Sequence, residues 1–135
     1  MSTTVVKAYP PNYLAIARRL PVRGKPVIFA YGETIYDPTG RTMGPELVAH
    51  ERVHCRRQLE YPGGVEPWWV RYLADVAFRL SEEIPAHRAE YHELARHVNS
   101  RVRTRYLETV AAKLSAPLYG NLITVQRAIE ELLKS

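Results

Sequence analysis

Glu46-Leu47-Val48-Ala49-His50-Glu51-Arg52-Val53-His54-Cys55 is the stretch on which the reading of this chain turns. Gly44-Pro45 ahead of it puts Pro in the favoured first position of a helix, which is expected to run to about Glu60, where Pro62-Gly63-Gly64 breaks it. Residues four apart on a helix share a face one turn apart, with Cβ atoms about 5–6 Å from each other. His50 and His54 can therefore aim both imidazoles at one tetrahedral zinc, at about 2.0–2.1 Å. Glu51 sits beside them, placed to touch a water on the metal without binding the metal itself. Leu47, Val48, Cys55 and Leu59 form an apolar arc from which Glu51 projects. His50 and His54 lie at its border, and Arg52, Arg56 and Arg57 take the other side. A carboxylate and two imidazoles at a buried edge are unfavourable unless paired or bound to metal. The plainer alternative makes His50 and His54 helix-surface residues paired with Glu46 and Glu51.

A catalytic zinc takes three protein ligands and a water, so a third ligand is expected from another helix. Ser81-Glu82-Glu83-Ile84-Pro85-Ala86-His87-Arg88-Ala89-Glu90-Tyr91 offers Glu82, Glu83, His87 and Glu90. Glu83 shares a face with His87, Tyr91, Leu94 and Val98, which points inward. Glu82 shares one with Ala86, Ala89, Glu93 and His97, which is more polar. Glu83 is the expected ligand, with His87 the runner-up. For Glu82 the favourable place of a carboxylate in the first turn of a helix is explanation enough.

Upstream of the motif, residues 12–19 read as a short helix opened by Asn12 and stopped before Pro21. Val27-Ile28-Phe29-Ala30-Tyr31 and Thr34-Ile35-Tyr36 are rich in β-branched and aromatic residues. Gly32 interrupts them and Asp37-Pro38-Thr39-Gly40 follows as a turn, so a short hairpin or bent edge strand is expected. Downstream, a second helix is expected from Pro67 through Trp69, Tyr72, Leu73 and Val76 to Leu80. A third, capped by Ser81 with Pro85 in its first turn, continues to about Val98. A fourth spans about 101–114, closed by Pro117, and a fifth runs from about Thr124 to Leu133. The expected fold is α+β and mostly helical, with a small sheet ahead of the motif helix and one domain over residues 1–135.

Composition narrows the classes. The chain has 135 residues, 46% of them hydrophobic and 24% charged, as in a globular domain with one core. No stretch approaches the ~20 apolar residues of a membrane helix, and the start lacks the pattern of a secretion signal. Cys55 is the only cysteine. An internal disulfide and a cysteine-rich zinc finger are thereby excluded, and a reducing, cytoplasmic setting is expected. The net charge of +5 raises nucleic acid as a partner, but the arginines are scattered from Arg18 to Arg127. The densest group, Arg101, Arg103 and Arg105, fans around a helix axis instead of forming a stripe. Nucleic acid is not the expected partner; a peptide or protein is.

A hydrophobic helix carrying His-Glu-x-x-His, followed by a helix with Glu-x-x-Ala (Glu83-Ile84-Pro85-Ala86), resembles the zincin metallopeptidases that use a glutamate as third ligand. The resemblance implies zinc at His50, His54 and Glu83, Glu51 as the general base, and an edge strand ahead of the helix, matching 27–36, that aligns substrate. More narrowly, the order of a Tyr-Gly strand, the motif, Trp68-Trp69 with Arg71-Tyr72-Leu73, Glu-x-x-Ala and Leu118-Tyr119-Gly120-Asn121 is similar to small phage and prophage proteins regarded as metallopeptidases. That similarity covers roughly residues 27–133 and implies a phage or host protein as a possible partner, in the host cytoplasm or the phage particle. One departure is His87, where such proteins often carry an aromatic residue, which leaves a His at or near the metal open. On this reading Glu51 takes a proton from the attacking water and passes it to the leaving amine, while a nearby donor stabilises the oxyanion. Tyr91, His87 and Tyr119 are the candidate donors, in that order. Asp75 has two readings: an acceptor that orients a ligand imidazole, or an ion-pair partner of Arg71 and Arg79 on its own helix. Trp68 and Trp69 are expected in the core and at its rim, and Cys55 as packing. Two other functions compete: a non-catalytic phage assembly protein that keeps the fold, and a basic nucleic-acid-associated protein.

Overall fold

The computed structural model describes residues 3–135. Its sheet has three short strands: β1 (Thr4–Val6), β2 (Phe29–Tyr31) and β3 (Thr34–Tyr36), in the order β1-β3-β2. β2 and β3 form the expected hairpin, pairing Phe29 with Tyr36 and Tyr31 with Thr34. Its two-residue loop opens on Gly32 at φ +66°, the left-handed region that a tight hairpin loop needs and glycine adopts without strain. β1 lies parallel to β3 on the far side. The sequence reading did not foresee it, because a three-residue strand is too short to show alternation.

Six helices follow the expected direction of the chain: α1 (Tyr13–Arg19), α2 (Pro45–Glu60), α3 (Val65–Ala74), α4 (Val76–Ala95), α5 (Ser100–Leu114) and α6 (Val125–Leu133), with a 3-10 turn at Pro117–Tyr119 before α6. The fold is α+β and mostly helical, as expected. No helix among the described residues is long and apolar enough to cross a membrane.

One boundary differs from expectation. The chain breaks at Asp75, not at Ser81. Asp75 takes an extended conformation and its carboxylate accepts the Phe78 N–H, capping α4. It also pairs with Arg71 at 3.4 Å. Asp and Ser are comparable N-caps, so both positions offered a start. Ser81 instead lies inside α4 and turns its hydroxyl to the Phe78 carbonyl at 2.7 Å. Pro85 is then a true interior proline, which forfeits one helical hydrogen bond. The helix continues through it, with α2, α3, α5 and α6 all packed on α4. Arg79, expected to pair with Asp75, is buried and donates to the carbonyls of Tyr72, Leu73 and Leu118, tying α3 and the 3-10 turn to α4.

Two apolar cores flank α4. One joins Leu80 and Tyr91 to Leu107, Val110, Leu114 and Leu132 of α5 and α6. The other gathers Ile16, Phe29, Trp68, Trp69, Tyr72 and Phe78 from α1, β2, α3 and α4. Between them, where α2 crosses α4, the interior is polar.

Candidate metal centre

The inward face of α2 is not the apolar arc that was expected. Leu59 is exposed, whereas His50, Glu51, Val53, His54, Cys55 and Gln58 are buried. Cys55 packs beside Ala30 and Ile35, and burial, the largest influence, pushes its thiol pKa up to about 12, so it stays a protonated packing group. The remaining buried side chains form a row of one-turn steps, His50, His54 and Gln58, with Glu51 beside it. Opposite stands a second such row on α4, Glu83, His87 and Glu90.

The structure brings the expected ligands together. His50 Nε2 lies 3.2 Å from Glu83 Oε1, and His54 Nε2 lies 3.1 Å from Glu83 Oε2. Ligand atoms on a tetrahedral ion at about 2.0–2.1 Å are separated by ~3.3 Å, so these donors already sit near the edges of such a tetrahedron. The donor set of two imidazole nitrogens and a carboxylate suits zinc. Charge points the same way. Glu51, Glu83 and Glu90 are all buried, and no Lys or Arg among the described residues pairs with any of them. Buried carboxylates without a cation are strongly disfavoured, and a divalent ion supplies the missing charge. The residues present therefore fit zinc.

Glu90, named from sequence only among the candidates for the third ligand, organises the cluster. Its Oε1 lies 2.7 Å from His50 Nδ1 and 2.9 Å from His87 Nδ1, and its Oε2 accepts the Tyr106 hydroxyl. A carboxylate only accepts, so both rings carry a proton on Nδ1, which leaves Nε2 as the nitrogen turned inward that could bind a metal. Its three-residue spacing from His87 was the available signal. Asp75, the other candidate for orienting an imidazole, is occupied at the head of α4. His87 Nε2 stands 3.6 Å from Glu83 Oε1, beside the carboxylate that faces His50 and His54. His54 has no comparable support. Its Nδ1 is buried without a partner, and its ring is held by the faces and edges of Trp68 and Tyr72.

Electrostatics separates the carboxylates. Burial by itself would raise the pKa of Glu83, but His54 and His50 outweigh it and hold Glu83 well below the usual range. Tyr72 donates its hydroxyl to Glu83 Oε2 at 2.5 Å. Glu51 goes the other way: burial raises it, and His50 and His54 offset this only in part. Its carboxylate makes no hydrogen bond among the described residues and lines a cavity of about 440 Å³, which also touches His50, His54, Glu83 and His87. The two carboxylates are thus shifted in opposite directions, Glu83 down and Glu51 up.

Three placements correct the sequence reading. Tyr91, the preferred oxyanion donor, packs in the core of α4, α5 and α6 and does not line the cavity. Tyr119 does line it, and burial followed by the Glu83 charge raises its phenol pKa, keeping it a protonated donor. Glu82 is not a first-turn carboxylate but a buried strut, receiving Arg57 through both oxygens at 2.9 and 2.8 Å and Trp68 Nε1 at 2.8 Å. Trp69 is buried like Trp68 and donates Nε1–H to the Ala30 carbonyl at 3.1 Å.

Gln58 was missed altogether. Fully buried, it receives the Gly32 N–H at 2.7 Å and donates to the Ala30 carbonyl at 2.9 Å, fastening the hairpin to the motif helix. Its place four residues after His54 on the same face was the signal. Family models, curated proteins and solved structures yield no match to this chain.

Proposed function

We propose that this protein is a zinc-dependent peptidase, with His50, His54 and Glu83 as the metal ligands and Glu51 as the general base. The observation that carries the reading is a tetrahedrally spaced donor set beside Glu51, a buried carboxylate without a hydrogen bond among the described residues, at the wall of one cavity. Zinc bound there supplies Lewis acidity, which acidifies water towards a pKa of ~7 and polarises a carbonyl. Glu51 accepts the proton of the attacking water and returns it to the departing amine. Tyr119, in place of Tyr91, offers a hydroxyl to the developing oxyanion. Glu90 holds His50 in the tautomer that leaves Nε2 bare, and Tyr72 steadies Glu83. The resemblance to zincin metallopeptidases supports the same assignment, with a peptide or protein as substrate. The resemblance to phage proteins, together with a single thiol, supports a cytoplasmic setting.

The test is metal analysis of protein purified without a tag or added zinc, followed by hydrolysis of a peptide library. One zinc per chain is expected, lost in His54→Ala. Glu51→Gln should keep the metal and the fold and lose at least ~100-fold in turnover, the low end of general-base effects. Stoichiometric metal in His54→Ala would refute the ligand assignment. Zinc binding without hydrolysis by the unaltered chain would favour the non-catalytic assembly protein.

A further inference from the structure

Resting on the peptidase reading, we infer that the cavity receives the carboxyl-terminal end of a peptide, with a bulky apolar last side chain and its α-carboxylate held by Lys25 and Lys113. At about 440 Å³ the space lies at the small end of ligand sites, which span ~300–1,000 Å³, and suits a chain end better than a folded segment. Beyond the metal ligands its walls are apolar and aromatic: Ile16, Val22, Phe29, Trp68, Trp69 and Leu118. A large hydrocarbon or aromatic side chain is the group that gains most from leaving water there.

The charges give the occupant a direction. At the metal end Glu51 and Glu83 balance the charge of a bound zinc ion, so net positive charge along the walls comes from lysine. The only Lys or Arg side chains lining the cavity are Lys25, from the segment between α1 and β2, and Lys113, from the last turn of α5. Both are exposed, and neither enters an ion pair with a described residue, whereas Arg57, Arg71, Arg88, Arg96 and Arg127 all do. Arginine far outnumbers lysine in the chain, yet the cavity holds lysine alone. Each lysine presents a compact ammonium on a flexible four-carbon stem, a point charge that can follow a carboxylate across an open mouth. Because both lysines are solvated, their pull is screened and sets preference more than raw affinity.

The experiment uses the full chain loaded with zinc. Trp68 and Trp69 are the only two tryptophans and both line the cavity, so their fluorescence reports occupancy independently of turnover. The probes are 3-phenylpropanoate, 3-phenylpropanamide and propanoate, none with a cleavable peptide bond. The phenyl acid should bind about tenfold more tightly than its amide and at least tenfold more tightly than propanoate. In Lys25→Gln/Lys113→Gln, whose circular dichroism should be unchanged, the acid and amide should bind alike. A preference that survives this double change but disappears when zinc is chelated means that the carboxylate ligates the metal, and overturns the inference. So does equal binding of acid and amide by the unaltered chain. In parallel, peptides of one sequence ending in Phe as the free acid or the amide are compared, with at least a fivefold fall in kcat/KM on amidation expected. Equal turnover of the two overturns the α-carboxylate as the recognised group and leaves the peptidase reading intact. A lysine-dependent binding preference with neither peptide cleaved removes the peptidase reading and leaves the cavity assignment standing.

Discussion

Glu90→Gln exchanges one oxygen for an NH2 where three donors converge. The carboxylate accepts from His50 Nδ1 at 2.7 Å, from His87 Nδ1 at 2.9 Å and from the Tyr106 hydroxyl. An ionised carboxyl offers about four lone-pair sites; an amide oxygen offers two and adds a donor. After the exchange only one of the two amide orientations leaves an acceptor toward the histidines. If the amide turns its oxygen to the histidines, Tyr106 must stop donating and instead accept from the NH2 through its own lone pairs. If it turns the other way, both imidazoles lose theirs and the Nδ1–H tautomer of His50 is no longer selected. Loss of a partner that orients a metal-binding histidine typically lowers metal affinity by ~10–100-fold, or ~1.4–2.7 kcal/mol. A single oxygen here serves both rings, so the upper half of that range is expected. In the orientation that leaves the imidazole donors unpaired, a further ~1–3 kcal/mol is lost from folding stability. Zinc affinity is measured by chelator competition at fixed pH, and the tautomers by the 15N shifts of the imidazole nitrogens in the metal-loaded protein. The unaltered chain should show His50 and His87 both protonated on Nδ1, and the variant should show mixed populations or a reversed tautomer at His87. Zinc affinity within twofold of the unaltered chain, with both rings still protonated on Nδ1, would refute the reasoning.

Tyr119→Phe should lower kcat by ~10²-fold with zinc affinity unchanged, whereas Tyr91→Phe should leave kcat within about twofold, because Tyr119 lines the cavity and Tyr91 does not; the reverse ranking would restore Tyr91. Gln58→Leu strands the Gly32 N–H and removes one of two donors to the Ala30 carbonyl, so a loss of ~2–4 kcal/mol in urea unfolding is expected, and a loss below ~1 kcal/mol would mean that the hairpin does not depend on this clamp. Glu82→Gln should destabilise by ~2 kcal/mol at neutral pH, below the usual value for a broken buried pair because Arg57 is half-exposed. Burial would raise the Glu82 pKa, but Arg57 and Trp68 outweigh it and lower it. The stabilisation is therefore fully present above the unfolded glutamate value of ~4.3 and is lost as pH falls through the lower folded value. Urea melts of both proteins between neutral pH and about pH 3 should converge at the acid end, and a difference independent of pH would assign the loss to packing alone.

The sequence carried the features that depend on local spacing. A four-residue interval on a proline-started helix was enough to place His50 and His54 on one face of α2, and the inward face of the following helix singled out Glu83, now 3.2 and 3.1 Å from them. The hairpin was legible from its β-branched residues around Gly32, and the helical content from periodicity and capping. Tertiary structure decided what depended on meetings between distant segments. Whether Asp75 or Ser81 starts α4 is nearly neutral in capping strength, so packing chose, and that choice moved Glu82 from a helix start to a buried strut against Arg57 and Trp68. Which tyrosine faces the cavity followed from the return of the chain through Pro117–Tyr119, and Glu90 became a shared acceptor only when α2 crossed α4. Helical periodicity states which side of a helix is buried but not what lies opposite. Polar residues gain from burial only in the company of specific partners, and those partners here lie as far apart in the chain as His50 and Glu90.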